Sequence, residues 1–169
     1  MQNILIVGLP STGVTLMTKM LAKELSDRNK RVVIKDGSQT GRTFESFALN
    51  GLDVKSGLVD YDGIDIARSS IDVESYDVCL TEATIMEMNL TKEELQVFDQ
   101  IVIVANGNIH RKMRTERFIK DNDLRNIKLI VNLSYIGDFD YADGYVDYVA
   151  FIGMDGRIQA IDAEGEKKG

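Results

Sequence analysis

Six short runs rich in β-branched and aliphatic residues recur along this chain, at residues 3–8, 31–35, 76–82, 100–106, 127–133 and 147–153, with helical or turn patterning between them. Runs this short and this apolar read as strands buried on both faces. Neighbouring parallel strands need crossover connections, and intervening helices supply them. The pattern therefore constrains the chain to an α/β fold, a three-layer, mainly parallel sheet with helices on both faces. The clearest helix spans 14–29, where Leu16, Met17, Met20, Leu21 and Leu25 recur at helical spacing and Ser11 or Thr12 is placed to cap the start. A shorter helix is expected at 43–49. The rest of 42–74 holds repeated Gly and Asp, including Asp60-Tyr61-Asp62-Gly63, which predicts irregular structure around brief strands.

The chain has 169 residues, 44% of them hydrophobic, enough for one domain, expected over 1–163 with 164–169 as a flexible tail of glycines and charges. A formal charge of −7 argues against a general nucleic-acid-binding surface, which needs clustered Lys and Arg. The local cluster His110, Arg111, Lys112, Arg114 and Arg117 reads as the solvated face of a helix. The single cysteine, Cys79, lies in an apolar run, which excludes an intrachain disulfide, predicts a buried thiol and suits a reducing cytoplasm. With no basic and apolar leader and no apolar run near ~18 residues, no intrinsic membrane segment is expected. The only histidine sits in the basic helical pattern, which disfavours a Ser-His-Asp triad, and one His with one buried Cys gives no zinc framework. Residues 138–144 have the flavour of a calcium loop but lack its terminal glutamate, and read as an acidic surface loop.

Directly after the first run comes Gly8-Leu9-Pro10-Ser11-Thr12-Gly13-Val14-Thr15. This is the frame of a phosphate-binding loop, G-x-x-x-x-G-K-[ST], with valine in the lysine position. The loop's backbone N–H groups and the positive end of the following helix form an anion site that needs no lysine. Nucleotide contact is accordingly expected along Gly8, Pro10, Ser11, Thr12, Gly13, Val14 and Thr15, with the Thr15 hydroxyl available to magnesium. Gly8 and Gly13 also suit a tight strand-to-helix turn with or without phosphate. A second reading is a Rossmann dinucleotide domain with Asp36 on a ribose hydroxyl. Against it, the G-x-G-x-x-G pattern is absent, and Pro10 stands where the second glycine would let the pyrophosphate approach.

Sheets of this kind bind ligands at the carboxyl ends of their strands. There, Tyr76-Asp77-Val78-Cys79-Leu80-Thr81-Glu82 resembles the segment that ends in the Walker B carboxylate of ParA and MinD type ATPases. Residues 98–104 resemble the family's next strand, and Ile130-Val131-Asn132 its V-x-N segment. Phe151-Ile152-Gly153-Met154-Asp155, with Ala160 and Gly165 beyond, is similar to the family's I-P-x-D segment and its downstream Ala and Gly. The resemblance implies that Glu82 holds a magnesium water, that Asn132 reads the adenine edge and that Asp155 lies at the nucleotide. It also implies ATP or ADP with Mg2+ as the cofactor, a homodimer across the nucleotide face, a protein partner in a larger assembly and a bacterial origin.

The chain departs from that family where the chemistry occurs. The family's two loop lysines fall on Leu9 and Val14, and its water-positioning aspartate falls on Lys35, with Asp36 one step off. Phosphoryl transfer is catalysed almost wholly by positioning and charge neutralisation. The expectation is therefore a non-catalytic localisation, assembly or partitioning module of a bacterial machine, with nucleotide binding weak or absent and no efficient ATPase activity. The competing expectation is a weak nucleotide switch completed by a partner.

Overall fold

The structure, a computed structural model, describes residues 1–48, 57–88, 90–125, 127–132, 146–152, 158–162 and 167–168. Along the chain these form β1 (Gln2–Gly8), α1 (Val14–Asp27), β2 (Val32–Asp36), α2 (Arg42–Ala48), β3 (Leu58–Tyr61), β4 (Ile64–Ala67) and β5 (Val78–Thr84). They continue with α3 (Lys92–Leu95), β6 (Gln100–Asn106), α4 (Ile109–Asp121), β7 (Ile127–Asn132), β8 (Val146–Ile152), β9 (Ile158–Asp162) and β10 (Lys167–Lys168). All ten described strands join one sheet in the order β10-β9-β8-β7-β6-β1-β5-β2-β4-β3. The run from β4 to β8 is parallel. Antiparallel strands finish both ends, β3 on β4 and β9 and β10 beyond β8. This is the expected mainly parallel α/β sheet. Because β5 lies between β1 and β2, the Rossmann order, in which the first two strands are neighbours, is not the one formed.

The reason β1 reads as a continuous apolar run is that it lies mid-sheet with both faces covered. Ile4 and Ile6 pack on one face with Val14, Met17 and Ala22 of α1. Leu5 and Val7 pack on the other with Ile103, Ile119, Leu124 and Leu129. Cys79 is buried in a third cluster with Val33, Ala67 and Val73, as its apolar setting predicts.

The buried stripe of α1 differs from the expected one. Leu16 and Met20 are exposed, whereas Val14, Met17, Thr18 and Ala22 face the sheet. Thr18 enters the stripe because its hydroxyl donates to the Val14 carbonyl at 2.9 Å, leaving no orphaned polar atom. The cap also differs: neither Ser11 nor Thr12 caps α1, and the N-cap is Gly13 at φ 95 without a side-chain bond. The loop must turn sharply there, in a conformation that costs glycine nothing. Thr12 is used differently, its hydroxyl donating to the Leu9 carbonyl at 2.8 Å.

In the stretch read as irregular, β3 and β4 form a hairpin closed by Asp62 (φ 55) and Gly63 (φ 77). An Asp-Gly pair is a strong signal for such a turn. In the span expected to be an unstructured tail, Lys167–Lys168 pairs with β9. The acidic segment 138–144 lies outside the described residues. Among the described residues no helix is long and apolar enough to cross a membrane.

Candidate functional site

Sheet register brings the sequence-derived residues to one edge. Gly8 lies opposite Thr84 and Val104, Glu82 opposite Asp36, and Asn132 opposite Asn106, all at carboxyl ends of parallel strands. The segment from Gly8 to Thr15 crosses this edge between β1 and α1.

The loop is held from several directions. The Ile85 N–H donates to the Gly8 carbonyl at 2.9 Å, and the Thr12 N–H to the Leu9 carbonyl at 3.3 Å. Asn132 Nδ2 donates to the Thr12 carbonyl at 2.9 Å, and Arg111 Nη1 to the Ser11 carbonyl at 3.2 Å. In a trans peptide the next N–H points opposite to the carbonyl, so the Gly13 N–H is aimed away from Asn132. Both glycines are also sterically required. A Cβ on Gly8 would press into the Val104 carbonyl, and one on Gly13 into the Asn132 amide.

The two side chains that stand at the lysine positions of the loop of ParA and MinD type ATPases are withdrawn into the protein. Leu9 is 3% exposed, and Val14, at 6%, joins the cluster under α1. Pro10, Ser11 and Thr15 are exposed, while Thr12 is buried. The loop thus presents backbone and hydroxyls.

Beneath it, Glu82 is 4% exposed, far from the solvent-facing residue its strand-end position could have made it. Its Oε1 accepts from Thr15 Oγ1 at 2.5 Å and from Thr43 Oγ1 at 3.4 Å, while its buried Oε2 has no partner. Burial pushes the Glu82 carboxyl above the usual range, the Thr15 and Thr18 hydroxyls oppose that, and neighbouring Asp36 adds to it.

Asp36 serves a different purpose. Also buried, it accepts from the Ser38 N–H at 2.8 Å, the Ser38 hydroxyl at 2.6 Å and the Phe44 N–H at 2.7 Å. Its oxygens fix the turn after β2 and the first turn of α2. Lys35, on the opposite sheet face, lines a 480 Å³ groove with Cys79, Val73 and Phe98.

Sequence reasoning missed Thr43, because only the packing of α2 over the edge brings it to Glu82. It also took Arg111 for part of a solvated face. Asn106 and Asn108 place that arginine: Asn106 Oδ1 accepts from the Asn108 N–H, and Asn108 Oδ1 caps α4 through the N–H groups of His110 and Arg111. Asp155 lies outside the described residues.

The assembled edge sets the backbone N–H groups of a helix start beside two hard oxygen donors, Thr15 and Glu82. Among the described residues no group of three or more His, Cys, Asp or Glu gathers as a metal site.

No protein-family model matches the sequence, and no curated protein matches it in sequence. Solved structures do match its fold. The MinC:MinD cell division protein complex of Aquifex aeolicus matches at a TM-score of 0.63 and 17% identity, over 88% of this chain and 81% of that one. A putative plasmid partition protein of Borrelia burgdorferi, bound to AMPPNP, matches at 0.59 and 13% identity, over 93% and 86%. A ParA family ATPase of Chlorobium tepidum matches at 0.58 and 15% identity, over 79% and 74%. At such identities the likeness shows a shared fold, the P-loop NTPase-like α/β fold of MinD and ParA proteins. It is the fold of the family whose segments the sequence resembles.

Proposed function

We propose that the chain is a nucleotide-binding P-loop protein without efficient ATPase activity, acting as a localisation, partitioning or assembly module. The observation that carries this reading is the state of the loop. Its backbone frame is braced and its glycines are sterically required, while both lysine positions are buried and apolar.

Phosphate recognition through N–H groups and a helix start survives such changes, but transition-state charge neutralisation does not. Asp36 is engaged by three donors in the turn it stabilises, which supports the absence of a water-positioning carboxylate. The donors fit Mg2+: Thr15 would ligate it, and the unpartnered Oε2 of Glu82 would hold one of its waters. Bound there, the ion would neutralise phosphate charge.

The neighbours' own descriptions, an AMPPNP complex and a MinC:MinD complex, support nucleotide and partner binding for this fold. Leu16, Met86, Ile109 and Met113 are exposed apolar side chains around the same edge. They favour a homodimer or partner contact resting on apolar surface rather than on a cross-subunit lysine. Closed two-fold pairs are also the commonest soluble assembly. A cytoplasmic bacterial setting completes the reading.

The test is a calorimetric titration with MgATP, MgADP and MgGTP, with solution mass and phosphate release measured in parallel. The expected result is saturable adenine-nucleotide binding, phosphate release at the blank rate, and a dimer mass that ATP leaves unchanged. Val14→Lys alone should not raise turnover. Magnesium-dependent phosphate release by the unaltered chain would overturn the non-catalytic reading, and absence of any binding heat would overturn the nucleotide reading.

A further inference from the structure

Backbone N–H groups can hold a phosphate chain in this loop, but the loop's own sequence supplies no cationic side chain to neutralise it. One cationic side chain does reach the loop: Arg111, the third residue of α4, whose Nη1 lies 3.2 Å from the Ser11 carbonyl. Its reach is set by structure. Asn108 caps α4 and Asn106 holds Asn108, so the first turn of the helix is fixed beside the strand end that neighbours β1. From Arg111 a groove of 580 Å³ runs along α4, lined by Asn108, His110, Met113, Arg114 and Arg117. Among the described residues no carboxylate pairs with Arg111, Arg114 or Arg117. In a chain of net charge −7, the basic side chains of α4 thus begin with the one that touches the loop lacking lysines.

A second, independent feature marks the same loop as a ligand site from its other side, the α1 face of the sheet. The carboxylate of Glu82 is nine-tenths buried at the start of α1, and one of its oxygens lacks a partner.

We propose that Arg111 supplies from α4 the phosphate-neutralising charge that Leu9 and Val14 cannot, acting on a nucleoside di- or triphosphate held in the loop. The inference rests on the nucleotide reading of the loop. The guanidinium has five donors, so it can keep its bond to the Ser11 carbonyl and still face a phosphate oxygen.

The deciding variant is Arg111→Gln, which keeps an amide donor for the Ser11 carbonyl and removes only the charge. MgADP affinity is measured by calorimetry at two salt concentrations for the parent, Arg111→Gln and Arg111→Lys, with far-UV circular dichroism melts of each. The expected result is about tenfold weaker binding for Arg111→Gln at low salt, a shallower salt dependence, intermediate binding for Arg111→Lys, and melts like the parent's. If Arg111→Gln binds MgADP as tightly as the parent with the same salt dependence, the charge role is overturned and the nucleotide reading stands. If the parent binds neither MgADP nor MgATP, both fall together.

Discussion

Two loops at neighbouring parts of the same sheet edge solve opposite problems. The segment from Gly8 to Thr15 is built from backbone: its shape depends on two glycines with no room for a Cβ and on donors from Asn132 and Arg111 that grip successive carbonyls. The turn after β2 is built from a side chain, the Asp36 carboxylate, which accepts from Ser38 and Phe44. A backbone-built loop can lose its charged side chains and keep its form. A carboxylate-built turn cannot release its carboxylate for chemistry without losing the turn. One edge can therefore retain a phosphate cradle while lacking the groups that would use it.

The sharpest way to break this comparison is at Gly8. Gly8→Ala drives a methyl against the Val104 carbonyl, which belongs to the sheet and cannot move aside. The expected loss is about 3 kcal/mol, read from denaturant unfolding. An unchanged midpoint would show that the cradle's shape is not backbone-limited.

Next is Asp36→Ala, which strands the N–H groups of Ser38 and Phe44 in the interior. About 2 kcal/mol of stability should be lost, with MgADP affinity unchanged. A large affinity loss at unchanged stability would instead make Asp36 a ligand-binding group.

Gly13→Ala meets both a left-handed backbone and the Asn132 amide. Its cost should fall by about 1 kcal/mol in an Asn132→Ala background, a coupling that a double-mutant cycle of melting curves would measure. Strict additivity would remove Asn132 as the brace.

The smallest effect is a gain. The Glu82 carboxyl, raised by burial, holds its proton more firmly in the folded chain than in the unfolded one. Stability from this group is thus fully present below the unfolded carboxyl range and is lost as pH rises toward the folded value. Glu82→Gln cannot ionise, so it should be about 1 kcal/mol more stable than the parent at neutral pH and equal to it below about pH 4. A gain that persists into acid would point to packing instead of charge.

The features that could be read from the sequence came from local rules. Strands β1, β6 and β7 came from apolar runs, and the turn glycines Gly8 and Gly13 from their place between a strand and a helix. Glu82 was legible as a strand-end residue, but its burial was not. Thr15, Thr43 and Glu82 meet only because β5 sits between β1 and β2, and the order of strands in a parallel sheet is not written in any one of them. The exposed Leu16 and Met20 were misjudged because helical spacing gives a face without saying which side the sheet lies on. Strands β9 and β10 went unrecognised because antiparallel additions at an edge depend on a partner already in place.

The central position of β1 has a consequence in time. This strand is made before both of its neighbours, β5 and β6, so Gln2 finds Val78 and Ile4 finds Gln100 only after the intervening chain has emerged. Pairings of such long sequence separation form slowly and leave apolar strands uncovered meanwhile. A nascent chain stopped before β5 would hold β1 and β2 with no strand between them. Such a fragment is expected to be a chaperone client rather than a folding unit, and the cradle at Gly8 can take shape only once β5 and β6 have been made.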